Sequence, residues 1–239
     1  MQATQFEFIF RLWIGFAIYF IGFWAPWLRY TGGIFPASST WLELSGELSR
    51  LLPLETATVV VTIVAIVLAA AGTIFRIWGT AYLGSTVVHS SGLHADGVVA
   101  AGPYRYLRNP LYFGSYLFAL AMAVLMPPSG AVFMVLALAV QHMRLIFREE
   151  RFLESQQGAA YLAYKSRVPR LVPSLVARVP GSSAKPHWMQ AAMAESFQLT
   201  MTGCFAVLAW RYNAQLLIQA LLVCFGISLV VRAIVVKPA

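Results

Sequence analysis

The chain has 239 residues, of which 59% are hydrophobic and only 11% charged, with 17 basic against 9 acidic side chains and a formal net charge of +8. With a mean hydropathy of +0.71, this composition lies far from the roughly 25% charged residues of soluble domains and excludes an ordinary globular enzyme or nucleic-acid-binding module. It describes an all-α, polytopic membrane bundle. Apolar runs near the ~20 residues that cross a bilayer predict about six spans: Phe8 to Leu28, Thr56 to Trp78, Leu111 to Met126, Ala131 to Phe147, Ala191 to Trp210 and Ala214 to Val236. Between the first two, "WLELSGELSRLL" (Trp41 to Leu52) is too short and polar to span and reads as an amphipathic surface or re-entrant piece. The third and fourth spans form a tight hairpin through "MPPSG".

The first span is a retained helix rather than a signal peptide: no Lys or Arg precedes it, Glu7 and Arg11 sit in it, and no A-x-A-like site follows Trp27. Basic residues near span ends stay cytoplasmic. With both termini inside, fourteen of the seventeen lie on the cytoplasmic side and only Arg29, Arg50 and Arg211 outside. Topogenesis and anionic lipid heads thus account for the positive charge, and nucleic acid is not an expected partner. A bacterial inner membrane is preferred to endoplasmic reticulum. Cys204 and Cys224 lack CxxC spacing and histidine company, and His89, His94, His142 and His187 are scattered, so no metal site is expected.

Polar residues concentrate in two cytoplasmic stretches, Tyr82 to Asn109 and Arg144 to Pro186, and costly polar groups in a membrane protein mark sites. The first ends in "GPYRYLRNPLYFG" (Gly102 to Gly114). Pro103 after Gly102 reads as a turn. Asn109 is a favoured N-cap for the third span, and Pro110 suits the first helical position because its missing N–H has no partner there. Arg105 and Arg108 serve as topology anchors, and Tyr104, Tyr106 and Tyr112 as interfacial aromatics. Together they also make an anion site, since a helix N-terminus offers free N–H groups and partial positive charge, with Arg108 beside it.

In the second stretch, "HMRLIFREERFLESQQGAAYLAYKSRVP", the residues Leu153, Ala160, Tyr161, Tyr164 and Val168 keep helical spacing. The fourth helix is expected to continue out of the membrane until Pro169 stops it. Arg144, Arg148, Glu149, Glu150 and Arg151 read singly as a solvated, ion-paired helix face. Their position at the membrane face brings carboxylates level with the first motif.

"FRIWGTAYLG", "VVH" and "GVVAAGPYRYLRNPLYFG", followed after a hairpin by "REERFLESQQGAAYLAYKSRVP", resemble the isoprenylcysteine carboxyl methyltransferase family and its phospholipid methyltransferase relatives. The resemblance covers roughly Gly72 to Pro173. It implies an enzyme that uses S-adenosylmethionine, yields S-adenosylhomocysteine, and binds the cofactor in a pocket at the cytoplasmic membrane face. By matched position it implies cofactor contacts from His89, Asp96, Gly97, Val98, Val99, Gly102, Tyr104, Arg108, Asn109, Pro110, Leu111 and Tyr112, completed by Glu149 or Glu150. The helix start and Arg108 suit the methionine carboxylate, and a Glu suits the ammonium or ribose hydroxyls. Methyl transfer needs positioning and desolvation rather than a covalent nucleophile. Arg144 and Arg148 are the catalytic candidates for a carboxylate acceptor, Glu149 or Glu150 the candidate base for an amine, and Tyr161, Tyr164 and Arg167 the candidate acceptor contacts.

Asn109 stands where the eukaryotic carboxyl methyltransferases carry His, and His89 where they carry an amide, which speaks against a prenylcysteine acceptor. The expected organisation is a first helix with an amphipathic segment (1–55), a methyltransferase-like core (56–175), a linker (176–187) and an added C-terminal hairpin (188–239). The hairpin packs on the core, gates acceptor access or makes a homodimer, and its Glu195 and Arg211 are read as interfacial. Expected partners are membrane lipids and a lipophilic acceptor. Two rival readings stand: an NADPH-dependent membrane reductase of the sterol-reductase type, and a non-catalytic membrane protein that keeps the fold.

Overall fold

The structure is a computed structural model describing residues 2–24, 39–84, 100–181 and 184–235. Its helices are α1 (Gln5–Ile9), α2 (Arg11–Trp24), α3 (Thr40–Leu48), α4 (Leu54–Leu83), α5 (Pro110–Ala123), α6 (Pro128–Arg167), α7 (Trp188–Ala194), α8 (Ser196–Leu208) and α9 (Ala214–Val235). Two 3-10 turns, Gly102–Arg105 and Ala209–Arg211, complete the order. The described residues hold no strand, as expected for an all-α membrane bundle.

Among the described residues three helices are long and apolar enough to cross a membrane: α4, α6 and the Ala214–Val231 part of α9. The expected six spans are not all continuous. The first is broken at Phe10 (φ −93°, ψ 14°), so that α2 begins only at Arg11. The fifth is broken at Glu195 (φ −99°, ψ 25°), dividing it into α7 and α8. α5, with 14 residues, is about 21 Å long, short of the ~30 Å hydrocarbon core.

The bundle is built on α4 and α5. At their crossing a Cβ on Gly72 would lie 2.6 Å from the Gly114 carbonyl oxygen, and one on Gly114 2.7 Å from that of Gly72. Two helices with these glycines can touch backbone to backbone, the close approach on which membrane helix packing depends. The last glycine of the first motif is thus a packing residue. α5 turns through Val124 to Met126 into α6, and this turn is buried. α3 closes that end, with Thr40 N–H donating to the Met126 carbonyl at 2.7 Å and Trp41 N–H to that of Val124 at 2.8 Å. Trp41 is buried while Leu42 and Leu44 are exposed, which gives α3 the amphipathic character expected of it.

α2 lies along α6, and the C-terminal hairpin lies along α4. Thr73 Oγ1 meets Thr202 Oγ1 at 2.8 Å, and Thr202 bonds the Ala69 carbonyl at 3.3 Å. Glu195 is fully buried rather than interfacial: Arg76 donates to it from Nε at 2.6 Å and Nη2 at 2.9 Å, and Thr80 Oγ1 at 2.7 Å. The break between α7 and α8 falls at the residue that must deliver this carboxylate to α4. Arg211 is exposed. Cys204 and Cys224 are free thiols, 3.6 Å apart across α8 and α9.

α6 runs from Pro128 to Arg167 and ends at extended Val168 before Pro169. Its extent agrees with the sequence reading, but Gly158 interrupts it (φ 52°, ψ −127°), a conformation that favours glycine. The interruption shifts the register beyond it. Tyr161, Tyr164 and Val168 are buried together with Leu153 against them, whereas Ala160, expected on the same face, is exposed.

Candidate active site

The site end of the bundle gathers the start of α5, the last turns of α6 before Gly158 and the chain after Pro169. The loop entering α5 is zipped to that returning chain. Arg108 N–H donates to the Pro169 carbonyl at 2.8 Å, Ser174 N–H to that of Tyr106 at 3.0 Å, and Arg178 N–H to that of Arg105 at 2.9 Å. Gly102 opens the loop at φ +52°, and a Cβ there would collide with the Tyr82 ring. Tyr104 is buried below it, its carbonyl accepting from Tyr164 Oη at 2.8 Å.

Glu150 is the hub, only 3% exposed. Arg170 donates to it from Nη2 at 2.9 Å and from Nε at 3.2 Å, Asn109 from Nδ2 at 3.3 Å, and Arg108 Nε lies 3.4 Å away. Two guanidinium groups and an amide surround one carboxylate, which leaves the cluster net positive. Asn109 occupies the N-cap position, but its side chain makes no capping bond. It donates instead to Glu150 and, at 3.1 Å, to the Arg170 carbonyl. The Asn109 cap is therefore corrected: the amide is drawn to the buried carboxylate, and the first turn of α5 is left without a side-chain cap. Pro110 does hold the first helical position.

Glu149, one residue away, faces a different partner. Among the described residues it accepts one hydrogen bond, from Tyr112 Oη at 2.7 Å. The Tyr112 ring packs edge-on to His142, with centroids 5.3 Å apart. Three buried polar atoms of this end have no hydrogen-bond partner among the described residues: Tyr104 Oη, His142 Nδ1 and Arg108 Nε, the last within 3.4 Å of Glu150 as an ion pair only. Burial pushes the Tyr104 phenol well above its ordinary pKa, so it stays a protonated donor.

Arg144 and Arg148 point to the amino terminus rather than to the two carboxylates. Arg144 pairs with Glu7 through Nε at 3.0 Å and Nη2 at 2.8 Å, while Arg148 Nη1 donates to the Ala3 carbonyl at 3.1 Å. Tyr161 and Tyr164 are buried in the wall behind Tyr104, and Arg167 is exposed. Leu111 packs against Gly79 of α4. His89, Asp96, Gly97, Val98 and Val99 lie outside the described residues. Sequence reasoning missed Arg170, Arg76 and Glu7. Of these, Arg170 had a local signal, a cation directly after the proline that ends α6. No group of three potential metal ligands occurs among the described residues.

The apolar helices are those of an integral membrane bundle, with a two-signed polar cluster at one end. Residues 60–160, under half the chain, match the family model described as phospholipid methyltransferase. That segment carries the crossing glycines, the start of α5 and the double Glu, and the matched family belongs to the isoprenylcysteine-carboxyl-methyltransferase-like group of integral membrane methyltransferases. The family implies a methyltransferase acting on a lipid. No curated protein and no solved structure matches the chain significantly.

Proposed function

We propose that the protein transfers a methyl group from S-adenosylmethionine to a lipophilic acceptor at the cytoplasmic membrane face, releasing S-adenosylhomocysteine. The observation that carries this reading is the division between the adjacent carboxylates. Glu150 accepts from Asn109 and Arg170 and is ion-paired with Arg108, whereas among the described residues Glu149 accepts from Tyr112 alone and keeps acceptor capacity.

The residues present fit the cofactor. Glu149 takes the ammonium, the uncapped first turn of α5 and the positive Arg108–Arg170 cluster take the carboxylate, and Tyr104 Oη supplies a donor that has no partner among the described residues. When bound, the cofactor supplies an activated methyl group. The chain's own part is to hold the two reactants in line and exclude water. Glu150 works here by fixing Arg108 and Asn109, and Tyr164 by holding the Tyr104 carbonyl. A carboxylate acceptor needs a cation beside it, and an amine acceptor needs Glu149 as base. The orientation with both termini cytoplasmic and the bacterial inner membrane belong to the same reading, as does a homodimer through the exposed faces of the C-terminal hairpin.

The test is to incubate membranes containing the protein with methyl-labelled cofactor and extract the lipid. Label should enter the lipid fraction, with base-labile label marking an ester and stable label an amine. Binding of NADPH without binding of S-adenosylmethionine or S-adenosylhomocysteine would transfer the reading to the membrane reductases.

A further inference from the structure

The chain that returns from the end of α6 is held at a fixed depth. Ser174 N–H donates to the Tyr106 carbonyl at 3.0 Å and Arg178 N–H to that of Arg105 at 2.9 Å, and this loop leads directly to Pro110, where α5 starts. α5 is shorter than the hydrocarbon core, and its far end turns straight into membrane-crossing α6. A short span draws its flanks toward the bilayer. The returning chain, bonded to one of those flanks, therefore lies in the membrane–water interface rather than above it.

Its side chains suit that place and no other. Leu175 is 99% exposed, Val172 77% and Val176 62%. Bulky apolar side chains grouped this closely and left uncovered mark a binding or membrane surface. Beside them stand two arginines whose forks are only part used. Arg105 donates from Nε to the Val179 carbonyl at 3.0 Å, and Arg178 from Nε to Ser174 Oγ at 2.8 Å. Among the described residues their terminal nitrogens make no hydrogen bond and neither guanidinium has an ion-pair partner. No acidic residue occurs between Glu154 and Glu195, a stretch that carries Lys165, Arg167, Arg170, Arg178 and Lys185. The patch is apolar and positive, and its own stretch of chain supplies no counter-charge.

We infer that this segment docks on an anionic phospholipid: Val172, Leu175 and Val176 enter the acyl boundary, and the free guanidinium N–H groups of Arg105 and Arg178 bind the headgroup phosphate. Charge complementarity selects the occupant. A guanidinium fork matches a phosphate, whereas a zwitterionic headgroup brings its own cation against the two arginines. Each arginine near an anionic lipid surface adds about fivefold to binding. Arg170, just before the patch, is bonded to Glu150, so the docked segment is also a wall of the candidate site. The docking itself does not rest on the methyltransferase reading.

The test places a bimane fluorophore on Val176→Cys in full-length protein carrying Cys204→Ala and Cys224→Ala, held in non-ionic detergent. Dioctanoyl phosphatidylglycerol, dioctanoyl phosphatidylcholine and inorganic phosphate are titrated in turn. Phosphatidylglycerol should half-saturate the fluorescence shift at a concentration at least about tenfold below phosphatidylcholine, and inorganic phosphate should give no shift. The Arg105→Gln, Arg178→Gln double variant should bind the two lipids alike, while Arg105→Lys, Arg178→Lys keeps most of the preference because it keeps the charge. Leu175→Ser should weaken both lipids equally, by about fivefold. Equal binding of the two lipids with both arginines in place overturns the proposal, and so does a preference that survives the double Gln variant. A response to inorganic phosphate as strong as that to phosphatidylglycerol also overturns it, in favour of a soluble-anion site.

Discussion

Glu149 and Glu150 are neighbours on one helix with opposite surroundings, and Glu195 on the far side of α4 repeats the pattern of Glu150. Glu150 and Glu195 are buried and ringed by donors, two guanidiniums and an amide for one, a guanidinium and a hydroxyl for the other. Glu149 accepts from Tyr112 among the described residues. A carboxylate whose lone pairs are all used holds elements together; one with capacity to spare can bind something else. The contrast separates the residues that assemble the site from the residue that serves it.

The largest test of that contrast is truncation of a saturated carboxylate. Glu195→Ala strands Arg76 in the bundle, and Glu150→Ala strands Arg108, so each should cost about 3–5 kcal/mol. The readout is a fall in Tm in detergent or loss of monodisperse protein, whereas Glu149→Gln should leave Tm nearly unchanged. Next comes the α4–α5 crossing: Gly114→Val should cost about 1–3 kcal/mol by overpacking, measured the same way. Third, Tyr112→Phe removes the hydrogen bond that orients Glu149. It should weaken S-adenosylhomocysteine binding roughly tenfold by titration calorimetry with little change in Tm.

The smallest effect concerns Glu7, whose carboxyl is held down from 4.5 to about 2 by hydrogen bonds from Arg144 and Thr4. A depressed pKa contributes stability that is fully present above the unfolded value and lost as pH falls through the folded one. The Glu7–Arg144 contact should therefore persist above pH 4.5 and open only as pH approaches about 2. Hydrogen exchange at the Ala3 amide, which bonds the Arg144 carbonyl at 2.9 Å, reports it. Opening already between about pH 5 and 4 would contradict the assignment.

Local chemistry was legible in the sequence. Pro110 starts α5, Pro169 follows the end of α6, and α3 is amphipathic, each because a proline or a hydrophobic spacing acts on its own neighbours. Partner choice was not legible. Asn109 reads as a cap from its neighbours, but Glu150, 41 residues away, takes its amide. Glu195 reads as interfacial from its position in an apolar run, yet Arg76, 119 residues away, makes it the buried link to α4. Gly158 reads as one helical residue, and its positive φ shifts the face of everything after it. Arg144 reads as a catalytic cation because a carboxylate acceptor needs one near the double Glu, while its partner, Glu7, comes from the other end of the chain.

The central claim is that Glu149 serves a cofactor whose pocket Glu150 and its cations build. Titration calorimetry of S-adenosylhomocysteine into wild type and Glu149→Gln tests it most directly, with Tm recorded on both. The account predicts saturable binding to wild type and a loss of at least tenfold in Glu149→Gln at unchanged Tm. Equal affinity in the two proteins would contradict it.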